Sequence, residues 1–285
     1  GTELMHDSFI IHDDLYDEMP NADSTRRNQK VLHSQYADEF SSKQQSGDSN
    51  WNVLTFSKHA SVASAHILLS LGARAIYQSN YDEIIKSRAL SSYWATTEET
   101  WIGQGMDILS KGKPIEKVQE DEILMTERSR AGLYTVSFPL QLGAILGGAD
   151  QNHLDLLSTY GSRVGLAFEI YDDILGIFGT KEETGKIQAD LVEGKRTLLI
   201  QRVLKVGTAA QKQKLLSMLG SRVISFENIE LMKNILIESG SLDYVLKTTE
   251  NLILDAYSIV DQLKVNNQTK DDLKQFAQFV INRNK

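Results

Sequence analysis

Three aspartates, Asp13, Asp14 and Asp17, are crowded into five residues of the stretch DSFIIHDDLYD at positions 7–17. On a helix Asp13 and Asp17 share a face, and the same line runs back through Phe9 and Met5. That face is apolar at one end and acidic at the other. The design recurs once, in Tyr171-Asp172-Asp173-Ile-Leu-Gly176, where stepping back from Asp172 by fours meets Phe168 and Val164. Carboxylates at the inner end of an apolar stripe cannot all stay ionised and unpaired. A hard divalent cation with oxygen ligands resolves the conflict, and Mg²⁺ favours a few carboxylates, several waters and substrate phosphate oxygens. A single such cluster is common at solvated helix ends. Two, on separate apolar helices facing each other, would form a metal site.

Basic residues follow each cluster. Arg26-Arg27 come after the first. Gly185-Lys186, Asp190-Leu191 and Gly194-Lys195-Arg196-Thr197-Leu198 come after the second. Arginine and lysine beside Mg²⁺ carboxylates suit a diphosphate, the arginine bidentate and the lysine as a point charge. His6 and His12 lie near the first cluster, but Mg²⁺ prefers oxygen, so both are expected to be packed or hydrogen-bonded rather than ligating.

The elements that must hold these groups are helices. The chain has 285 residues, 41% hydrophobic, and only three prolines. Long stretches rich in Ala, Leu, Glu, Lys and Gln separate them, a composition that favours an all-α fold. The spacing predicts helices over 1–18, 57–79, 82–111, 116–148 with a kink or break at Pro139, and 151–178. Four or five amphipathic helices follow over 198–284, with charge pairs such as Asp243 with Lys247 and Asp271 with Lys274. Residues 37–51, polar and rich in Ser and Gln, read as an exposed insertion, and 179–197 as a long loop.

Net charge is −8, which argues against a nucleic-acid partner held by a basic surface. It leaves anionic substrates open, because bound cations invert local charge. There is no cysteine, hence no disulfide and no thiolate metal site, and the expected compartment is reducing and cytoplasmic. No run approaches the roughly 20 apolar residues of a membrane span. The opening residues already read as the inside of a helix, so N-terminal helices of the same single domain over 1–285 are expected to precede Gly1.

Taken in order, these motifs resemble the trans-type isoprenyl diphosphate synthases, the polyprenyl synthetase family of farnesyl and geranylgeranyl diphosphate synthases. ELMHDSFIIHDDLYD resembles the first aspartate-rich motif, with DSTRR as its arginine pair. GQGMD at 103–107 resembles GQxxD, and RAGLYTVSFPLQLGA at 130–144 resembles KTAxYTxxxPLxLGA. GLAFEIYDDILGIFG at 165–179 resembles the second aspartate-rich motif, and GKIQADLVEGKRTLL at 185–199 the loop that follows it.

The resemblance implies antiparallel helices around a central cavity, a homodimer, and three Mg²⁺ bridging the aspartates and an allylic diphosphate. It implies Asp13, Asp17 and Asp172 as direct ligands, with Asp14 and Asp173 orienting waters or neighbouring groups. Arg26, Arg130, Lys186 and Lys195 would hold the allylic diphosphate and Arg27 isopentenyl diphosphate. Gln104, Asp107, Thr135 and Glu169 would line the same cavity. The implied reaction is ionisation of the allylic C–O bond, attack by the isopentenyl double bond, and loss of a proton. Phe9, one turn before Asp13, would close the cavity floor and favour a C15–C20 product.

Several positions depart from the family pattern. The upstream glycine-lysine-arginine motif has no counterpart, and RRNQK replaces RRGxP. Arg130 stands for Lys, Glu169 for Gln, Gly176 for the third Asp of the second motif, and SAH at 64–66 for a Gly-Asp pair. The rival readings are a longer-chain synthase, a terpene cyclase, and a non-catalytic regulatory subunit.

Overall fold

The computed structural model describes residues 1–16, 25, 26, 29–43, 52–179, 194–220 and 225–282. Among the described residues the fold is all-α apart from one antiparallel pair of two-residue strands, and the chain divides into two compact units, Gly1–Leu90 and Ser91–Lys285. The boundary falls inside one long helix.

The first unit contains α1 (Thr2–Tyr16), β1 (Thr25–Arg26), β2 (Gln29–Lys30), α2 (Leu32–Lys43), α3 (Val53–Tyr77) and the start of α4 (Glu83–Lys111). Helix α1 packs on α3. It buries Met5, Ser8, Phe9 and His12, and α3 buries Ala65, Leu69 and Ile76. The spacing of Met5, Phe9 and His12 is that of one inward stripe. Helix α2 packs on the other part of α3, where Phe40 meets Phe56 edge to face at 4.4 Å and the Tyr36 and Ser64 hydroxyls lie 2.9 Å apart. Asn52 caps α3 by accepting from the Thr55 N–H. Of the exposed insertion expected at 37–51, residues 37–43 lie in α2, where Ala37 is buried and Asp38, Glu39 and Ser41 are exposed; residues 44–51 lie outside the described residues. By length and hydropathy alone α3 could cross a bilayer, although no run of about 20 unbroken apolar residues exists in it. It buries one stripe of small and aliphatic residues, and the rest of its surface is exposed or partly exposed.

The second unit is built around α7 (Gln151–Phe178), capped by Asp150. The stretch before it departs from the expected plain helix. It comprises α5 (Glu120–Glu127), a π-helical segment (Arg128–Ser137) and α6 (Phe138–Leu146), with Pro139 in the first turn of α6 where its missing N–H costs nothing. A π-helical run is costly and needs tertiary support. Glycines supply it. A Cβ on Gly165 would lie 2.0 Å from the Gly132 carbonyl oxygen, one on Gly161 2.4 Å from the Ser137 Cα, and one on Gly103 2.3 Å from the Arg130 nitrogen. The π segment is therefore seated backbone to backbone between α4 and α7.

Among the described residues, five helices lie over 198–282, within the expected four or five: α8 (Leu198–Val206), α9 (Ala209–Met218), α10 (Phe226–Glu238), α11 (Ser241–Gln262) and α12 (Asn267–Asn282). One core cluster joins Ile170, Ile174 and Ile177 of α7 to Leu198, Leu199 and Val203 of α8 and to Met232 and Leu236 of α10. Another joins Tyr160, Val164 and Ala167 to Ile253, Ala256 and Val260 of α11. Lys274, expected to pair with Asp271, reaches Asp261 at 2.6 Å across the α11–α12 hairpin.

Candidate active site

In the first unit the apolar stripe of α1 ends in Asp13 and Asp14, both partly exposed. Arg26 closes on them as a fork. Its Nε donates to Asp14 Oδ1 and its Nη2 to Asp13 Oδ2, each at 2.8 Å. Arg26 is held there by the β pair, opposite Gln29. Burial opposes the guanidinium charge, but the two aspartates outweigh it, and the Arg26 pKa is raised. A short β pair thus carries a permanent cation to the end of an acidic helix.

His12 lies beside this pair but turns inward. Its Nδ1–H donates to the Ser8 carbonyl at 2.9 Å, and its ring is 5.3 Å from that of His66. Burial lowers its pKa, the Ser8 contact opposing and His66 assisting, so the ring is kept neutral. This is the packed, hydrogen-bonded histidine expected from the sequence. His33 is likewise lowered by burial. Phe9 is buried one turn before Asp13. A pocket of about 250 Å³ opens between α1 and α3, lined by His12, Tyr16, Lys58 and His59 among others.

The second unit holds a denser cluster. Asp172 is exposed, whereas Asp173, its neighbour on α7, is buried and accepts from Lys195 Nζ at 2.6 Å. Lys195 belongs to a four-residue stretch in which each residue has a structural task. Gly194 takes φ +67°, the left-handed region that glycine enters without penalty. Arg196 donates to the carbonyls of Lys111 and Lys113, at 2.7 and 3.1 Å. Thr197 caps α8, accepting from the Ile200 N–H. The turn and its two anchors aim the lysine at α7.

Arg130 completes the cluster from the π segment. Its Nη2 donates to Glu127 Oε2 at 2.9 Å and lies 3.7 Å from Glu169 Oε2. The Glu127 Oε1 atom lies 4.0 Å from Lys195 Nζ. Three buried carboxylates, Glu127, Glu169 and Asp173, therefore surround two cations. They do not ionise alike. Burial pushes the Glu169 carboxyl up to about 8, Arg130 opposing and Asp172 and Glu127 assisting. Burial also acts on Glu127, but Arg130 and Lys195 outweigh it and lower its pKa. Burial thus favours the neutral form of Glu169, whereas the two cations favour the charged form of Glu127.

Gln104 is buried on α4 beside Gly103, the residue that touches the Arg130 backbone. Asp107, one turn on, lies 3.5 Å from Lys111. Thr135 is partly buried in the π segment. Asp17, Arg27 and Lys186 lie outside the described residues. Glu127 is the residue that motif reading missed. Its one sequence signal is its place three residues before Arg130, a spacing that commonly pairs an acid with a base on a helix.

In the first unit Asp13 and Asp14 offer partly exposed carboxylate oxygens, of the kind a hard cation takes, and Arg26 already places a positive charge on them; in the second unit Asp172 offers an exposed carboxylate. Among the described residues no group of three or more donors is placed to hold a metal ion by itself.

A polyprenyl synthetase family model matches residues 1–236. The geranylgeranyl diphosphate synthase of Saccharolobus solfataricus is 29% identical over 289 aligned positions, covering 100% of this chain and 79% of that protein. Among solved structures, geranylgeranyl pyrophosphate synthase from Corynebacterium glutamicum, complexed with isoprenyl diphosphate and magnesium, superposes with a TM-score of 0.87 at 23% identity, covering 99% of this chain and 77% of that one. A polyprenyl synthase from Caulobacter crescentus, complexed with calcium and isoprenyl diphosphate, gives 0.80 at 19% identity, covering 100% and 77%.

Proposed function

The chain belongs to the polyprenyl synthetase family, and from that premise we propose that it is a Mg²⁺-dependent trans-prenyltransferase that joins isopentenyl diphosphate to an allylic diphosphate, giving a C15–C20 prenyl diphosphate and diphosphate. The observation that carries this reading is that each acidic motif is folded against cations of the kind a diphosphate needs. Arg26 forks onto Asp13 and Asp14, and Lys195 bonds Asp173 with Arg130 on the neighbouring Glu127.

Asp13, Asp14 and Asp17 on one helix, and Asp172 and Asp173 on another, would hold the metal, with three ions the number the resemblance implies. Bound Mg²⁺ supplies positive charge that stabilises the departing diphosphate. Arg26, Arg130, Lys186 and Lys195 bind the allylic diphosphate and stabilise the same charge as the C–O bond ionises. Arg27 binds isopentenyl diphosphate, whose double bond attacks the allylic cation; the proton then lost is taken by the released diphosphate. Gln104, Asp107, Thr135 and Glu169 line the cavity. An apolar wall excludes water that would quench the cation. Phe9 sits at the depth where a growing chain would meet an aromatic floor, and the geranylgeranyl names among the relatives favour the C20 end.

Exposed apolar side chains along α3 and α4, among them Ile67, Tyr77, Ile84 and Leu109, support a homodimer. The cysteine-free sequence supports a cytoplasmic location.

Incubating the protein with Mg²⁺, radiolabelled isopentenyl diphosphate and dimethylallyl, geranyl or farnesyl diphosphate in turn tests the reading. A C15–C20 product is expected with at least one primer. No product with any primer would reject it in favour of a non-catalytic subunit.

A further inference from the structure

Two cations from distant parts of the chain, Arg130 and Lys195, converge on one carboxylate that belongs to no recognised motif. Glu127 ends α5, is 3% exposed, and offers one oxygen to each: Oε2 accepts from Arg130 at 2.9 Å, and Oε1 lies 4.0 Å from Lys195 Nζ. The other partners of these cations come from α7. Lys195 donates to Asp173, and Arg130 lies 3.7 Å from Glu169. Glu127 lies within 4.0 Å of both. The backbone under Arg130 is fixed independently by the close approach of Gly103, so the remaining freedom of Arg130 is in its side chain.

We propose that Glu127 is a positioning residue that sets the separation of Arg130 and Lys195, and through them the affinity for the diphosphate of the allylic substrate. This rests on the reading above that these two cations bind that group. Simple electrostatics gives the opposite sign. A buried negative charge next to an anion site weakens anion binding, so its removal should strengthen it. Positioning predicts weakening, because two like charges that lose their shared counter-ion move apart.

The test is steady-state kinetics on Glu127→Gln and Glu127→Asp of the full chain. Geranyl diphosphate is the varied substrate, inorganic pyrophosphate the competitive inhibitor, and thermal melting the check on folding. The aspartate variant keeps the charge and withdraws it by one methylene, and it is the variant to read if the glutamine variant does not fold. The KM for geranyl diphosphate and the pyrophosphate Ki should both rise on the order of 10-fold, with the KM for isopentenyl diphosphate unchanged. Unchanged or lower values in a folded variant overturn the proposal. Arg130→Gln and Lys195→Gln, run alongside, separate the two levels. If they leave the allylic KM unchanged, the functional reading of the cations fails and the positioning role falls with it. If they raise it while the Glu127 variants do not, only the positioning role fails.

Discussion

The two acidic motifs share letters and helix geometry but neutralise their charge differently. In the first unit a single guanidinium from a two-residue strand closes on two partly exposed carboxylates. In the second, three buried carboxylates and two cations arrive from α5, the π segment, α7 and the turn before α8. The first arrangement is nearer in sequence and partly exposed to solvent. The second depends on backbone packing that brings distant segments together. A local ion pair can be exchanged for a metal or substrate at little cost to the fold. A buried network is tied to the fold that creates it, and removing one member leaves an uncompensated charge.

The largest effect that would separate the two units is at Gly165. Its missing Cβ admits the Gly132 carbonyl, and both colliding groups are backbone, so neither can yield cheaply. Gly165→Ala should destabilise the protein by about 3 kcal/mol or more. Urea unfolding measures this, and a near wild-type midpoint would mean the π segment is not seated as described.

A smaller effect sharpens the electrostatic contrast. Glu169 is held up to about 8 by burial, above the ordinary 4.5, so between those values the folded state binds more protons than the unfolded one. Its contribution makes stability fall as pH rises from about 4.5 to about 8. Glu127 runs the other way. Its pKa is lowered in the fold, so its contribution is present above 4.5 and lost as pH falls through the folded value. Glu169→Gln should therefore raise the melting temperature more at pH 8 than at pH 5. Equal shifts at both pH values would contradict the assignment.

The smallest effect belongs to the first unit. Arg26→Gln removes a partly exposed ion pair and should cost about 1 kcal/mol, with the difference shrinking as salt rises. Melting at low and high ionic strength reads it. A loss as large as that of Gly165→Ala would place Arg26 in the structural core rather than at an exchangeable site.

The pairing of acidic helix ends with cations was legible because the motifs are written in the sequence. Asp13 and Asp172 each end an apolar line of fours, and Arg26 and Lys195 follow them in the chain. Most helix ends were legible as well, since Lys113-Pro114 and the Gly-Gly-Ala-Asp run break the pattern. The π segment was not. Residues 128–137 have ordinary helical composition, and their altered winding comes from contacts of Gly103, Gly161 and Gly165 that no local pattern reveals. Glu127 was missed for the same reason. A glutamate before an arginine on a helix reads as a surface pair, and only burial and the arrival of Lys195 make it the centre of a cluster. The extent of α2 was hidden by its polar residues: its buried positions among those described, His33, Ser34 and Ala37, include no large aliphatic side chain.

The central claim is that both acidic motifs serve one metal-dependent ionisation. The direct measurement is product formation from radiolabelled isopentenyl diphosphate and geranyl diphosphate by the wild type, Asp13→Ala and Asp172→Ala, each with Mg²⁺ and with excess EDTA. The account predicts that EDTA abolishes the wild-type reaction and that each substitution lowers turnover by about 1,000-fold, because each removes charge stabilisation of the same departing diphosphate. Wild-type turnover in EDTA, or full activity of either variant, would contradict it.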